Sequence, residues 1–207
     1  MYHLLRASQG WVSSHQSESD LAQTAVDRAL DADPTNSLAL TVRGHVQIQF
    51  KRDFESADQC YREALISNPN NGLGWLFKSM MHAFRGEGEV ALENSEKASL
   101  LSPLDPRRWF YDSLSATAAL GAKRYDRAIE LGKMSIRSNA LHTSTYRALA
   151  IAQVHAGQID NARQTVRSLM QLQPTFTVSA YRANHPTGTT EVGLSWTAAL
   201  LEAGVPG

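Results

Sequence analysis

The chain has 207 residues, 43% of them apolar, and its twenty basic and twenty acidic side chains cancel to a formal net charge of zero. This content supports a continuous core and excludes a disordered chain, while the balanced charge excludes a global field that would recruit nucleic acid or an anionic membrane. The single cysteine, Cys60, excludes an intrachain disulfide. No stretch approaches the roughly 18 apolar residues of a membrane helix, so no membrane partner is expected. With Met1 read as the native start, the residues that follow it lack the apolar run of a signal peptide, which predicts a cytoplasmic protein.

In chain order, the recurring prolines with the turn and cap signals between them predict helix pairs at about 2–14 and 18–31, 37–50 and 54–67, 72–85 and 88–101, 106–121 and 125–138, and 142–156 and 159–172. A proline follows nearly every second helix, at Pro34, Pro69, Pro103 and Pro174, with Ala140 where another would stand, giving steps of 35, 34, 37 and 34. Proline lacks an amide hydrogen and clashes with the preceding turn, so it ends a helix. Twelve and five positions before each stop lie Ala22 and Ala29, Ala57 and Ala64, Ala91 and Ala98, Ala128 and Ser135, and Ala162 with the larger Leu169. Small groups there let paired helices approach. Leu40, Trp75, Trp109 and Tyr146 are large wedges, each followed four residues later by a small residue: Gly44, Ser79, Ser113 and Ala150.

Gly86 and Gly157 mark two hairpin turns, and Lys51-Arg52-Asp53 and Gly121-Ala122-Lys123 take their place in two others. Ser37, Asp105 and Thr143 are expected as helix caps. The longer steps are expected in the hairpin turns, with one extra residue near Lys51 to Asp53 and about three near Ala119 to Arg124.

These residues, most densely Trp75, Ser79, Gly86, Ala91, Ala98 and Pro103 in one unit, resemble the tetratricopeptide repeat (TPR) family. The resemblance implies an all-α, right-handed superhelical solenoid of about five helix-turn-helix units within residues 1–174, at about 3–34, 37–69, 72–103, 106–140 and 143–174. The first unit matches least well, because Arg6 takes its large apolar slot. Residues 175–189 predict an irregular connector able to reach into the groove. Residues 190–207 predict a capping helix and tail, with Val192, Trp196, Ala199 or Leu200, and Ala203 as one apolar stripe. Pro174 to Val178, Arg182 to Pro186, Trp196, and Leu200 to Pro206 look like the C-terminal region of certain bacterial regulators. In those proteins such repeats follow an adenylate or guanylate cyclase domain or a winged-helix DNA-binding domain.

No chemistry stands out. The seven histidines show no metal-ligand motif and no spacing paired with a carboxylate, so no metal or cofactor is expected. Glu87, Glu89, Glu93 and Glu96 spread around a helix as a solvated face, and no enzyme is expected.

The TPR resemblance implies that each unit's first helix lines a concave face. Its groove positions correspond to Leu38, Thr41, His45 and Gln49 in the second unit, and to Leu73, Leu76, Phe77, Met80 and Phe84 in the third. The fourth unit supplies Arg107, Phe110, Leu114 and Thr117, and the fifth Ser144, Arg147, Ile151 and His155. The family's carboxylate clamp for chaperone tails is absent apart from Arg107, because Thr41, His45, Leu76, Met80 and Phe110 occupy its slots. The implied partner is a protein presenting an apolar helix or extended peptide, with Arg107 and Arg147 beside an acidic flank. No direct nucleic-acid partner is expected.

The leading expectation is a non-catalytic protein-interaction module, the regulatory or scaffolding part of a bacterial signalling or transcriptional protein. The alternative is a freestanding structural protein that self-associates into a homo-oligomer, for instance through Trp196. A further alternative for the groove is that Phe77, Met80, Phe84 and Phe110 only pack on neighbouring helices or on the chain's own tail.

Overall fold

Backbone amides at a helix start need acceptors, and two asparagines one repeat apart supply them here: Asn36 accepts from Ala39 N–H and Asn71 from Gly74 N–H. The computed structural model describes Gln9 and residues 15–207. Among the described residues the helices are α1 (His15–Ala32), α2 (Ser37–Val46, prolonged by a π-helical turn, Gln47–Lys51) and α3 (Phe54–Ser67). They continue as α4 (Gly72–Phe84), α5 (Gly88–Leu101), α6 (Arg108–Gly121), α7 (Tyr125–Ser138), α8 (Thr143–His155) and α9 (Ile159–Leu172). Two more, α10 (Val178–Asn184) and α11 (Glu191–Glu202), form the tail. Apart from Gln9, the helix expected over 2–14, with Arg6 and Gly10, lies outside the described residues.

Packing makes two layers. α2 packs on α4, α4 on α6 and α6 on α8, whereas α3, α5, α7 and α9 each pack on first helices. The close inner row gives the stack its concave side. Small residues make this possible: Ala57, Ala64, Ala91, Ala98, Ser135 and Ala162 are wholly buried where the helices meet. Leu169 fills the corresponding slot of the last unit and is buried as well.

The hairpin turns need one residue in the left-handed region, which Gly86 (φ 80°) and Gly157 (φ 74°) adopt at little cost. Arg52 (φ 54°) and Lys123 (φ 58°) take the same conformation in the other two hairpins. Successive turns also touch, since a Cβ on Gly88 would lie 2.3 Å from the Ala122 Cα.

Four expectations need correction. The second unit's extra residue is not in the turn but in the π-helical turn Gln47–Lys51, where the backbone widens and the Asp53 N–H bonds to the Gln47 carbonyl. The longer 37-residue step is not in the hairpin turn at Ala122 to Arg124, which stays as short as that at Arg85 to Glu87. It comes from a longer loop before α6 and one more residue in α6. The turn is fixed by its left-handed residue and its contact with the neighbouring turn, and the inter-unit loop has neither constraint.

Helix caps differ too. Ser37 and Thr143 are first helical residues rather than caps, behind Asn36 and His142, and Asp105 accepts the Arg107 N–H just before α6 starts. Finally, the connector expected to be irregular carries α10, started by Thr177, whose hydroxyl accepts the Ala180 N–H. The last residues hold it in place: the Val178 N–H donates to the Pro206 carbonyl at 2.8 Å.

Candidate partner-binding face

The inner helices carry a file of rings. His45 on α2 stacks on Phe77 of α4 with centroids 4.3 Å apart and planes 9° from parallel. Phe77 meets Phe110 of α6 edge-on at 6.0 Å, and Phe110 meets His142, at the start of α8, at 5.9 Å. Trp109 adds a second edge contact to His142 at 5.0 Å. Such pairs favour edge-on and offset geometry because ring faces are negative and edges positive. All four members of the file are buried. Burial lowers the His45 and His142 imidazoles to about 3, so both rings are neutral at physiological pH. Among the described residues, His45 Nδ1 is buried with no hydrogen-bond partner.

The far side of this face is covered by the chain's own tail. The Arg147 guanidinium lies over Phe176 and Tyr181, 5.5 and 5.9 Å from the ring centroids. Phe84 meets His185 edge-on at 4.9 Å and Trp196 at 6.0 Å. Tyr181 and His185 stack at 4.5 Å, and Arg52, at the second unit's turn, donates to the Ala183 carbonyl across the array. Burial, reinforced by Arg147 and Arg52, lowers His185 to about 3. α11 completes the cover by packing on α8.

The expected site residues therefore separate into groups. His45, Phe77 and Phe110 form the ring file, and Leu73, Met80, Leu114 and Ile151 are buried apolar residues of the inner helices. Phe84 and Arg147 serve the tail, while His155 stays exposed, stacked on Tyr125 at 5.1 Å, with Ser195 Oγ 3.5 Å from its Nε2. Leu38, 55% exposed, and Arg107, whose side chain is 57% exposed and paired with Asp105, stand open at the margin. Tail packing, weighed above only as an alternative use of these rings, thus applies to Phe84. Trp196, part of the expected capping stripe and in the alternative reading a route to self-association, is 5% exposed and packed inside the molecule.

Sequence reasoning missed His142 and Gln9. His142 stands where Asn71 caps the third unit, and that break in the repeat was the available signal. Gln9 was assigned to the first unit, yet its side chain bonds to Thr143 and Ser144 in the fifth. One histidine does have a carboxylate partner: His82 Nδ1 pairs with Glu87 across the α4/α5 turn. Among the described residues no group of three or more His, Cys, Asp or Glu side chains is placed to hold a metal ion, and no helix is long and apolar enough to cross a membrane.

The architecture is the TPR solenoid, and solved structures share it. The chain is similar to PilW, described as a widely conserved type IV pilus biogenesis factor, with 18% identity, 89% of this chain and 86% of that chain covered, and a TM-score of 0.67. A thermophilic TPR protein from Thermus thermophilus aligns at 18% identity over 90% of this chain and 92% of its own, with a TM-score of 0.64. YrrB, described as a TPR protein with an unusual peptide-binding site, aligns at 12% identity over 87% and 92%, with a TM-score of 0.54. At these identities the likeness concerns the fold. No family model matches the chain, and no curated protein matches it.

Proposed function

We propose that this chain is a non-catalytic protein-interaction module that binds a partner's peptide or helix on its concave face. The partner's contacts centre on the open margin at Leu38 and Arg107, which the buried ring file backs. The observation that carries this reading is the continuous inner face: the rings of His45, Phe77, Phe110 and His142 join four successive units behind the open margin at Leu38 and Arg107. The peptide-binding site ascribed to YrrB is in keeping with this use of the fold.

The array over residues 1–174 is the binding part, and the tail after it fills the remainder of the face. We read the module as the regulatory or scaffolding part of a bacterial signalling or transcriptional protein acting in the cytoplasm. That part of the reading rests on the tail resemblance, whose Phe176, Tyr181, His185 and Trp196 pack as one unit. Self-association through Trp196 is not favoured, because that ring is already buried.

A photo-crosslinking residue placed in cells at Leu38 or Arg107, and as controls at Ile66 and Leu100 on the outer helices, tests the reading. All four positions are solvent-accessible. The expected outcome is one defined adduct from the first two positions and none from the controls. Identical adducts from the outer helices, or none from Leu38 and Arg107, would reject the concave face as the binding surface.

A further inference from the structure

Where the tail meets the array, a cleft of about 450 Å³ opens between the start of α3, the end of α4 and the start of α11. Its apolar side is made by Phe54, Phe84 and Val192. Phe84 is held from behind by His185 and Trp196, whereas Phe54 and Val192 are only half-buried. Its charged side is made by Glu55, Arg85 and Glu191.

The sign of the cleft follows from which of these charges are already met. Arg85 Nε lies 2.9 Å from Glu87, a carboxylate that also pairs with His82, so the one cation of the wall is neutralised on its own turn. Glu55 reaches Arg85 only at 3.5 Å, and its side chain is 86% exposed. Glu191 suits the first turn of α11 by its charge, yet among the described residues its carboxylate has no hydrogen-bond or ion-pair partner. It is not the cap of that helix, because Thr190 Oγ1 accepts the Gly193 N–H at 3.1 Å. Two carboxylates are therefore left over beside an apolar wall. An anion entering the cleft would meet both of them and a guanidinium that is already paired. A neutral apolar group would cover Glu191 and leave its charge dry and unmatched, which is costly. A cation on a long apolar stem satisfies both sides, with its methylenes along Phe54 and Val192 and its head at the carboxylates.

We propose that this cleft seats a basic side chain, lysine or arginine, of a partner protein. Glu55 belongs to the array and Glu191 to the tail, so the seated cation also ties the tail to the array. The surface is separate from the concave margin: Leu38 and Arg107 stand at the other ends of the inner helices, about 20 Å away along a helix of 13 residues. Neither reading depends on the other.

The test follows the backbone amide signals of the full chain by NMR as N-acetyl-lysine N-methylamide is added. The norleucine analogue, which keeps the four-carbon stem and lacks the amine, is the comparison. The lysine probe is expected to shift the Gly86 and Val192 signals saturably at millimolar concentration and to bind about tenfold more tightly than the norleucine probe. Glu191→Gln is expected to weaken the lysine probe about threefold and to leave the norleucine probe unchanged. Glu93→Gln, at an exposed carboxylate outside the cleft, is expected to change neither. Equal affinities of the two probes, or a Glu191→Gln chain that binds the lysine probe like the wild type, overturns the site. So does lysine binding without saturable shifts at Gly86 and Val192, or saturation of those signals by the matching glutamate probe. Should Glu191→Gln disturb the signals of α11 before any probe is added, Glu55→Gln is judged by the same criteria.

Discussion

His45, His142 and His185 are buried rings whose pKa values fall to about 3 from an ordinary 6.5. A depressed folded value means that the unfolded chain takes up protons first as the medium is acidified. The stability these rings contribute is therefore complete above about pH 6.5 and declines as pH falls toward 3, by up to about 1.4 kcal/mol per pH unit for each ring. Urea unfolding at pH 7 and pH 5 should show a lower midpoint at pH 5, and His45→Phe, which keeps a ring on Phe77 without a titrating nitrogen, should reduce the difference. Equal midpoints would mean that the rings are not desolvated. Two glycines offer a second residue-scale contrast. Gly157→Ala meets open space and carries only the left-handed strain, about 1 kcal/mol. Gly88→Ala drives a methyl into the Ala122 backbone, which cannot turn aside as a side chain can. Thermal melts should rank Gly88→Ala as clearly the more damaging.

At the scale of elements, the tail is held by rings rather than by its own helix propensity. α10 spans Val178–Asn184, too short to persist alone, and it depends on Tyr181 over Arg147, His185 against Phe84, and the clip from Val178 to Pro206. Trp196→Ala removes a ring that both Phe84 and His185 touch, and should cost about 3–5 kcal/mol. Hydrogen exchange in Val178–Asn184 should rise in that variant; an unchanged rate there would show that the tail holds without the α11 anchor. The helices of the repeats were legible because their signals are local: a small residue at each close approach, a turn residue, a terminating proline. α10 was not, since its stabilising contacts reach back to Arg52 and Phe84, and no short-range periodicity encodes them. Loop lengths misled for a related reason, because an added residue can be absorbed as a π-helical turn within Gln47–Lys51 or as loop before α6.

For the whole molecule, the repeat register puts His45, Phe77 and Phe110 on successive first helices, and their rings do meet in space, so this much of the candidate face was legible in the sequence. What the register could not supply is how the chain uses that face on itself. Phe84 and Arg147 are taken by the tail, and the α8 start is taken by Gln9, contacts that the repeat period does not encode. On the proposed function, the face left for a partner is narrower than the full groove, running along the first halves of the inner helices from Leu38 toward His142. The most direct check is hydrogen exchange of the full chain with and without the partner identified by crosslinking. The account predicts added protection in Ser37–Val46, Gly72–Phe84 and Arg108–Gly121, with little change in the outer helices Phe54–Ser67, Gly88–Leu101 and Tyr125–Ser138. Protection concentrated on the outer helices would contradict it.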